Sequence, residues 1–332
     1  MINENLGFSL WLDFIERDHL QKEFGRLIEE GVVNGATSNP AIFAASIETS
    51  PAYTAQLDTL KNHSAKAKYE ALAVEDIRTA AQKLLPLYEA GKDGYVSIEV
   101  DPFLCDDTEG TVEEGKRLHR EIGMPNVMIK VPATEAGYDA MTALMSEGID
   151  VNATLIFSPA QALKTLDAMQ EGLRVWRATG EGKSVQGVLS VFVSRFDRML
   201  DAKLADRGIE PGRVGIMNAA SIYNLVENRN EKALRTLFAS TGVKGDAYEA
   251  DYYIKELMAP HSVNTAPLAT IEAFRERPDH RPRLPIDDEA IERFFDAVER
   301  AGIDMNDVYE TLLKEGLSSF RDAFAKLLAH LE

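Results

Sequence analysis

The stretch VMIKVP, residues 127–132, decides how the rest of the chain is interpreted. It is a short run of apolar and β-branched residues, which predicts a buried β-strand. Side chains of a strand alternate between its two faces, so Lys130 points away from the face of Ile129 and Val131. Burying a lysine is costly unless its ammonium group is paired or has a task. The stretch therefore predicts a strand whose lysine is either ion-paired or functional.

Seven similar runs occur elsewhere in the chain, and segments rich in helix formers separate them. The predicted strands are Ser9–Phe14, Gly35–Asn39, Tyr95–Val100, Val127–Val131, Val151–Phe157, Val188–Ser194, Val214–Ala220 and Tyr252–Met258. The predicted helices include His19–Glu30, Thr54–Ala90, Thr111–Ile122, Thr134–Ser146 and Pro159–Thr179. Strands that alternate with helices form parallel sheets. Closing eight of them into a (β/α)8 TIM barrel leaves no exposed edge.

We therefore expect one α/β barrel domain over residues 1–332, with an additional C-terminal helical region over about 287–332. The alternative is an open, doubly wound sheet, which the number of strands does not exclude. A Gly-x-Gly fingerprint after the first strand would support that fold. The first predicted strand instead continues into WLDFIERD (11–18), so the barrel is the favoured prediction.

The composition narrows the class of protein. The 54 acidic and 36 basic residues give a net charge of −18, which disfavours nucleic acid and anionic membranes as partners. Cys105 is the only cysteine, and the six histidines lack metal-ligand spacing, so we expect no disulfide and no metal site. The N-terminus lacks a basic leader, and no apolar run approaches the roughly 20 residues of a membrane-spanning helix. We expect a soluble, cytoplasmic protein.

One face of six predicted strands carries mostly polar side chains. Parity places these polar side chains on the opposite side of each strand from its apolar side chains. In a barrel the apolar side faces the helix layer, so the polar side chains face the interior. These residues are Asp13, Thr37, Asn39, Ser97, Glu99, Lys130, Asn152, Thr154 and Ser190, with Phe192 on the same face as a wall. Most lie toward the carboxyl ends of their strands, where barrel enzymes build their sites. A structural ion-pair network of Lys130, Glu99 and Asp13 is the alternative, but convergence of six strands favours a functional cavity.

Six stretches of the chain resemble the transaldolase family. They are LWLDF (10–14), GATSNP (35–40), VSIEVDP (96–102), MIKVPAT (128–134), VNATLIFS (151–158) and VNTAP (263–267), in the family's order. The resemblance implies an eight-stranded barrel that forms a Schiff base with a ketose phosphate and transfers its dihydroxyacetone unit, without metal or organic cofactor. The implied donors are sedoheptulose 7-phosphate and fructose 6-phosphate. The implied acceptors are glyceraldehyde 3-phosphate and erythrose 4-phosphate, in the non-oxidative pentose phosphate pathway.

The resemblance also assigns roles to the interior residues. Lys130 matches the nucleophile, Asp13 the base that deprotonates the C4 hydroxyl, and Glu99 the acid/base that works through a water. Thr154 matches a threonine that holds this water. The residues matched to binding of the dihydroxyacetone hydroxyls are Asn39, Asn152 and Ser190.

The phosphate end departs from the family's pattern. Arg195 falls on the family's phosphate arginine, whose planar fork suits a phosphate, and Ser221 falls on its phosphate-binding serine. Tyr223 stands where many members carry a second arginine, and a tyrosine hydroxyl donates a hydrogen bond without adding charge. The candidates for a replacement cation are Lys255 and Arg229.

Three other functions stay open at this stage. An aldolase of the same architecture would release dihydroxyacetone, although the related aldolases typically carry glutamine where this chain has Glu99. A sugar-phosphate binder without turnover would need none of Lys130, Asp13 and Glu99. A metal-dependent lyase would need a cluster of His and carboxylate ligands. Sugar phosphates are the expected ligands in the first two cases, and we expect a monomer or a homodimer.

Overall fold

Eight parallel strands close into a barrel in chain order, with the last strand paired to the first. The computed structural model describes residues 4–182 and 184–332. The strands are β1 (Phe8–Asp13), β2 (Gly35–Thr37), β3 (Tyr95–Glu99), β4 (Val127–Pro132), β5 (Asp150–Ile156), β6 (Gly187–Phe192), β7 (Leu234–Ala239) and β8 (Ser262–Ala266). The predicted barrel is confirmed, and the open doubly wound sheet is wrong.

Helices connect the strands and form the outer layer. The helices of the first half are α1 (Arg17–His19), α2 (Gly25–Glu29), α3 (Pro40–Thr49), α4 (Thr54–Thr59), α5 (Ala65–Glu89), α6 (Thr108–Ile122) and α7 (Glu135–Ser146). Those of the second half are α8 (Pro159–Ala178), α9 (Ser194–Leu204), α10 (Val214–Asn228), α11 (Tyr252–Glu256), α12 (Leu268–Glu276), α13 (Asp288–Arg300) and α14 (Met305–Leu331). A π-helical turn covers Leu20–Phe24, and short 3-10 helices cover Pro51–Tyr53, Pro102–Leu104 and Ala205–Arg207.

Six of the eight predicted strands are confirmed to within two residues at each end. The other two are wrong, because Val214–Ala220 lies in α10 and Tyr252–Met258 overlaps α11. Every residue from 214 to 220 is buried, so this part of the helix has no polar face that would reveal its period. The actual β7 and β8 are short and carry polar residues in their middle, which hides them from a search for apolar runs.

The predicted helix Thr54–Ala90 is interrupted. It forms two helices, α4 and α5, and residues 60–64 between them are not helical. Ser64 begins the second helix by accepting a hydrogen bond from the Ala67 amide at 3.3 Å, as an N-cap residue does.

Helix caps set the chain direction where strands end beside the barrel interior. After β2, the Asn39 side chain accepts a hydrogen bond from the Ile42 amide at 3.0 Å, and Pro40 is the first residue of α3. After β5, Ser158 and Gln161 form a capping box at the start of α8. These bonds satisfy amide groups that a helix start leaves free, so the strand ends turn outward at defined residues.

The additional C-terminal helices are confirmed as α13 and α14. Helix α14 packs against α3, α5 and α9 and against β5. The ring of Phe320, in the middle of α14, lies 5.9 Å from Lys130 Nζ, so this helix covers the carboxyl end of the barrel. In residues 4–182 and 184–332, no helix has both the length and the apolar character needed to cross a membrane.

Candidate active site

Lys130 lies inside the barrel on β4, between Glu99 of β3 and Asn152 of β5 in the strand register. Its Nζ donates a hydrogen bond to the Ser38 carbonyl at 3.2 Å and lies 4.0 Å from Glu99 Oε2. Lys130 is only 5% exposed, and the Phe320 ring covers it from α14. The amine is thus held among few polar partners, as a nucleophilic lysine requires.

Glu99 is buried beside Lys130. Burial raises the pKa of the Glu99 carboxyl to about 7, with Lys130 acting in the opposite direction and Asp13 in the same direction. Its Oε2 accepts no hydrogen bond from any group in the described part of the chain. A carboxyl group with a pKa near neutrality both donates and accepts protons at physiological pH.

Asp13 ends β1 on the same interior face. Its Oδ1 accepts a hydrogen bond from Thr37 Oγ1 at 2.7 Å, and Thr37 is in turn 2.7 Å from Thr265 Oγ1 on β8. Burial raises the pKa of Asp13, while Lys130 and the Thr37 hydrogen bond act against this rise. The hydroxyl pair orients the carboxyl group toward the cavity that Lys130 enters.

Hydrogen bonds join side chains of β3, β5 and β6 beside Lys130. Ser190 Oγ donates to Asn152 Oδ1 at 2.6 Å, and Asn152 Nδ2 donates to Ser97 Oγ at 3.1 Å. Thr154, two residues after Asn152 on the same face of β5, is fully buried. Its Oγ1 has no hydrogen-bond partner among the described residues, which leaves it able to bind a small polar molecule.

Asn39 lies at the rim of the site, and the two polar atoms of its side chain have different roles. Its Oδ1 is engaged as the N-cap of α3, so only its Nδ2 is available to donate to a ligand. Strand register and hydrogen bonds thus place the predicted residues of β1 to β6 in the barrel interior around Lys130.

Arg195 lies in the first turn of α9, just after β6. Its guanidinium group lies 5.1 Å from the centre of the Phe192 ring and 6.0 Å from that of Phe157. Burial and the neighbouring Arg198 lower the pKa of Arg195, with Glu315 acting in the opposite direction. Phe192 therefore supports Arg195 at the mouth of the barrel.

The structure does not bring Ser221 to this cavity. Ser221 lies in α10, in the outer layer, and its hydroxyl forms no hydrogen bond with any described residue. Tyr223 Oη donates to the Pro260 carbonyl at 3.0 Å, before β8 and thus at the end of the barrel opposite to Lys130. The resemblance assigned Ser221 to the phosphate, and the segment 214–220 before it, predicted as a strand, is a helix.

The two other candidate cations are engaged in ion pairs. Lys255 Nζ lies 2.8 Å from Asp251 and 3.1 Å from Glu249, and Arg229 lies 2.8 Å from Asp167. Neither is therefore free to compensate a phosphate charge.

Sequence reasoning missed Ser240, which directly follows β7. The Ser194 amide donates to the Ser240 carbonyl at 3.1 Å, and the two hydroxyl oxygens are also 3.1 Å apart. Ser240 has a φ of 55°, so the chain turns sharply there, next to Arg195. The signal in the sequence is the polar run Ser-Thr-Gly at 240–242, which follows the apolar end of the actual strand.

Across the two described ranges, no cluster of three or more His, Cys, Asp or Glu side chains is arranged to hold a metal ion. The polar groups of the cavity are instead one amine, two carboxyl groups, hydroxyls and amides. This set is suited to covalent and acid–base chemistry on a carbonyl compound.

Comparisons with known proteins agree on one family. A family model described as Transaldolase/Fructose-6-phosphate aldolase matches residues 10–331. A transaldolase of Campylobacter jejuni (strain RM1221) is 45% identical over 331 residues, covering 98% of this chain and 99% of that protein. A transaldolase of Helicobacter pylori (strain Shi470) is 42% identical over 323 residues, covering 97% of this chain and 98% of that protein. The likeness thus extends over the full length of these relatives.

Proposed function

The chain belongs to the transaldolase/fructose-6-phosphate aldolase family and has the activity of a transaldolase, and from that premise we propose how its barrel performs the transfer. The observation that carries the proposal is Lys130, buried inside the barrel with its Nζ 4.0 Å from the Glu99 carboxyl group. The substrates are sugar phosphates. The donor is sedoheptulose 7-phosphate or fructose 6-phosphate, and the acceptor is glyceraldehyde 3-phosphate or erythrose 4-phosphate.

The first half of the reaction begins when the neutral amine of Lys130 attacks the C2 carbonyl carbon of the ketose. Protonated Glu99 supplies a proton as the carbinolamine loses water, which its pKa of about 7 supports. A water held by Thr154 carries this proton, and the orphaned hydroxyl of Thr154 supports that role. The product of this step is a protonated imine at Lys130.

The carbon–carbon bond breaks in the second step. Asp13 removes the proton from the C4 hydroxyl, the C3–C4 bond breaks, and its electron pair moves to the imine nitrogen. An aldose leaves, and the three-carbon enamine stays on Lys130 until an acceptor aldehyde arrives. The steps then reverse, with the new C3–C4 bond formed and the imine hydrolysed. The hydrogen bond from Thr37, which orients Asp13, supports its role as the base.

Three side chains bind the dihydroxyacetone unit: Asn39, Asn152 and Ser190. The bonds that already orient Asn152 and Ser190 reduce the entropy lost on binding. At the far end, Arg195 and Ser240 bind the phosphate, and Phe192 forms a wall. We assign the serine role to Ser240 because it lies beside Arg195, whereas Ser221 does not.

Two further properties are part of the proposal. Sugar phosphates are charged metabolites that do not diffuse through membranes, which supports a cytoplasmic location. A closed barrel has no free strand edge to which further copies would add, which supports a monomer or a homodimer.

Borohydride trapping tests the proposal. We expect incubation with fructose 6-phosphate and borohydride to leave a reduced three-carbon adduct on the peptide that contains Lys130. The variant Lys130→Ala loses the adduct and the activity, whereas Lys164→Ala, a substitution of an exposed lysine, keeps both. Binding of fructose 6-phosphate without any adduct in the unaltered protein would refute the Schiff-base mechanism. Adding erythrose 4-phosphate then distinguishes transfer from simple release of dihydroxyacetone.

A further inference from the structure

A cleft of about 500 Å³ lies between α9 and α14, on the outer side of Arg195. The residues that line it are Arg195, Arg198, Met199, Leu312, Glu315 and Ser319. Arg195 also lies over Phe192, whose side chain faces the barrel interior. Arg195 therefore borders both the cleft and the Phe192 ring at the mouth of the barrel.

Two arginines line this cleft. Within residues 4–182 and 184–332, neither Arg195 nor Arg198 forms an ion pair or a hydrogen bond with a protein group. Glu315 is the acidic residue of the cleft, and it lies beyond ion-pair distance of both. Arg198 is exposed and Arg195 is partly buried, whereas the partly buried Arg117, Arg213 and Arg235 do pair with carboxylates.

This arrangement leaves the charge of both guanidinium groups available to an anion. Like charges on successive turns of a helix repel each other, and in a chain with a net charge of −18 acidic partners are plentiful. Burial and then Arg198 lower the pKa of Arg195, with Glu315 acting in the opposite direction. A phosphate dianion would compensate both charges and would accept paired hydrogen bonds from each planar fork.

We propose that Arg198 is the second cation of the phosphate site, so that Arg195 and Arg198 together hold the phosphate monoester of the sugar whose carbonyl end reacts at Lys130. This inference rests on the proposed function, and it identifies a second cation for the phosphate beside Arg195. Arg195 binds from the barrel mouth and Arg198 from the exposed side of the cleft. Ser319, exposed on α14, adds a hydroxyl donor on the opposite wall.

The role of Arg198 makes it a determinant of specificity for phosphorylated sugars. It contacts the end of the substrate far from the bond that breaks, so it contributes to binding of the phosphate in the ground state and the transition state alike. Loss of such an interaction raises KM and leaves kcat nearly unchanged.

The test compares two acceptors in Arg198→Gln. In a two-stage transfer, kcat/KM for the acceptor reports only the second stage, so the donor's phosphate does not confuse the result. We expect kcat/KM for glyceraldehyde 3-phosphate to fall about 10-fold through KM, and that for unphosphorylated glyceraldehyde to change less than about 2-fold. The inhibition constant of inorganic phosphate, competitive with the acceptor, should rise by a similar factor. Arg198→Lys should recover part of the loss.

A control variant and the following outcomes test the proposed role of Arg198. Arg207→Gln removes an exposed, unpaired arginine just beyond α9 and should change neither acceptor. Equal effects of Arg198→Gln on both acceptors, or none on either, would overturn the proposal. Inhibition by phosphate that is not competitive with the sugar would mean a separate anion site, which also overturns it. Absence of the borohydride adduct would instead refute the proposed function.

Discussion

Glu99 shows how burial tunes a single residue toward its chemistry. Its carboxyl group is 6% exposed and lacks a hydrogen-bond partner for Oε2 in the described structure, so its ionised form is poorly solvated. The resulting pKa of about 7 is useful to a general acid and base. It is also costly to the fold, because the unfolded chain ionises the same group at its ordinary value of 4.5.

Glu99→Gln should therefore stabilise the protein at alkaline pH. The folded-state pKa is the higher one, so the cost is absent well below pH 4.5, grows as the pH rises toward 7, and is complete above it. We expect the variant to exceed the unaltered protein in free energy of unfolding by up to about 3 kcal/mol at pH 8, and by less than about 1 kcal/mol at pH 5. Urea denaturation at both pH values measures the difference.

The matched control for this prediction is Glu299→Gln, on the exposed surface of α13, which should have little effect at either pH. An equal gain for Glu99→Gln at pH 5 and pH 8 would show that the Glu99 charge is not the cause. Loss of activity in Glu99→Gln, together with its higher stability, would show that the carboxyl group serves catalysis and lowers the free energy of unfolding.

At the scale of elements, α14 completes a site that the eight strands leave open. Phe320 places its ring 5.9 Å from Lys130 Nζ. One turn earlier, Gly316 packs so closely that an added methyl group would lie 3.0 Å from Leu155 and 3.5 Å from Arg195. The helix thus adjoins both the amine and the phosphate end of the proposed site.

Phe320→Leu should slow the reaction while leaving the helix in place. The aromatic face stabilises the positive charge of the protonated imine by about 0.5–1.5 kcal/mol, and leucine keeps the apolar cover without that face. We expect kcat to fall about 2- to 10-fold, measured well below the melting temperature.

Phe324→Leu is the control one turn further along α14. Its ring packs against Tyr69 and Phe103 and away from Lys130. It should lower the free energy of unfolding by less than about 1.5 kcal/mol and leave kcat unchanged. An equal loss of kcat in both variants would assign the effect to helix packing and contradict a contact with the imine.

At the scale of the whole molecule, the two ends of the barrel have different tasks. The end opposite to Lys130 is closed by an interior ion pair. Arg235 Nη2 donates to Asp93 Oδ1 at 2.8 Å, and Trp11 Nε1 donates to Asp93 Oδ2 at 2.7 Å. The indole ring of Trp11 lies so close to Gly35 that any Cβ there would be 2.4 Å from it, which requires glycine at this position.

Arg235→Met should therefore affect stability and spare catalysis. It leaves the carboxylate of Asp93, whose side chain is 3% exposed, without its ion-pair partner. Such a loss costs about 3–5 kcal/mol, which a denaturation curve would show directly. KM and kcat at low temperature should stay within about 2-fold, because barrel enzymes build their active sites at the carboxyl ends of the strands and the amino-terminal end contributes to stability.

Arg177→Met provides the comparison, since Arg177 forms an exposed ion pair with Glu231. It should cost less than about 1 kcal/mol. If Arg235→Met were equally mild, the interior pair would not be what closes the barrel. If it abolished activity in a folded protein, the division of tasks between the two ends would be wrong.

The sequence by itself determined the barrel interior at the first six strands and the identity of its central amine. Side chains of a strand alternate strictly, so the parity of Lys130, Glu99 and Asp13 relative to apolar neighbours predicts their common face without coordinates. Five of the six stretches that predicted the family lie at β1 to β5, and the sixth, VNTAP, lies at β8.

Only the tertiary structure decided the last two strands, the phosphate end and the cover of the site. Whether a short apolar run such as 214–220 is helix or strand depends on what surrounds it, and burial on all sides removes the periodic signal. Ser240 contacts Ser194, the residue before Arg195, because β6 and β7 pair, and Arg198 faces α14 although more than a hundred residues separate them. Contacts between distant parts of a chain arise from packing, and local patterns do not contain them.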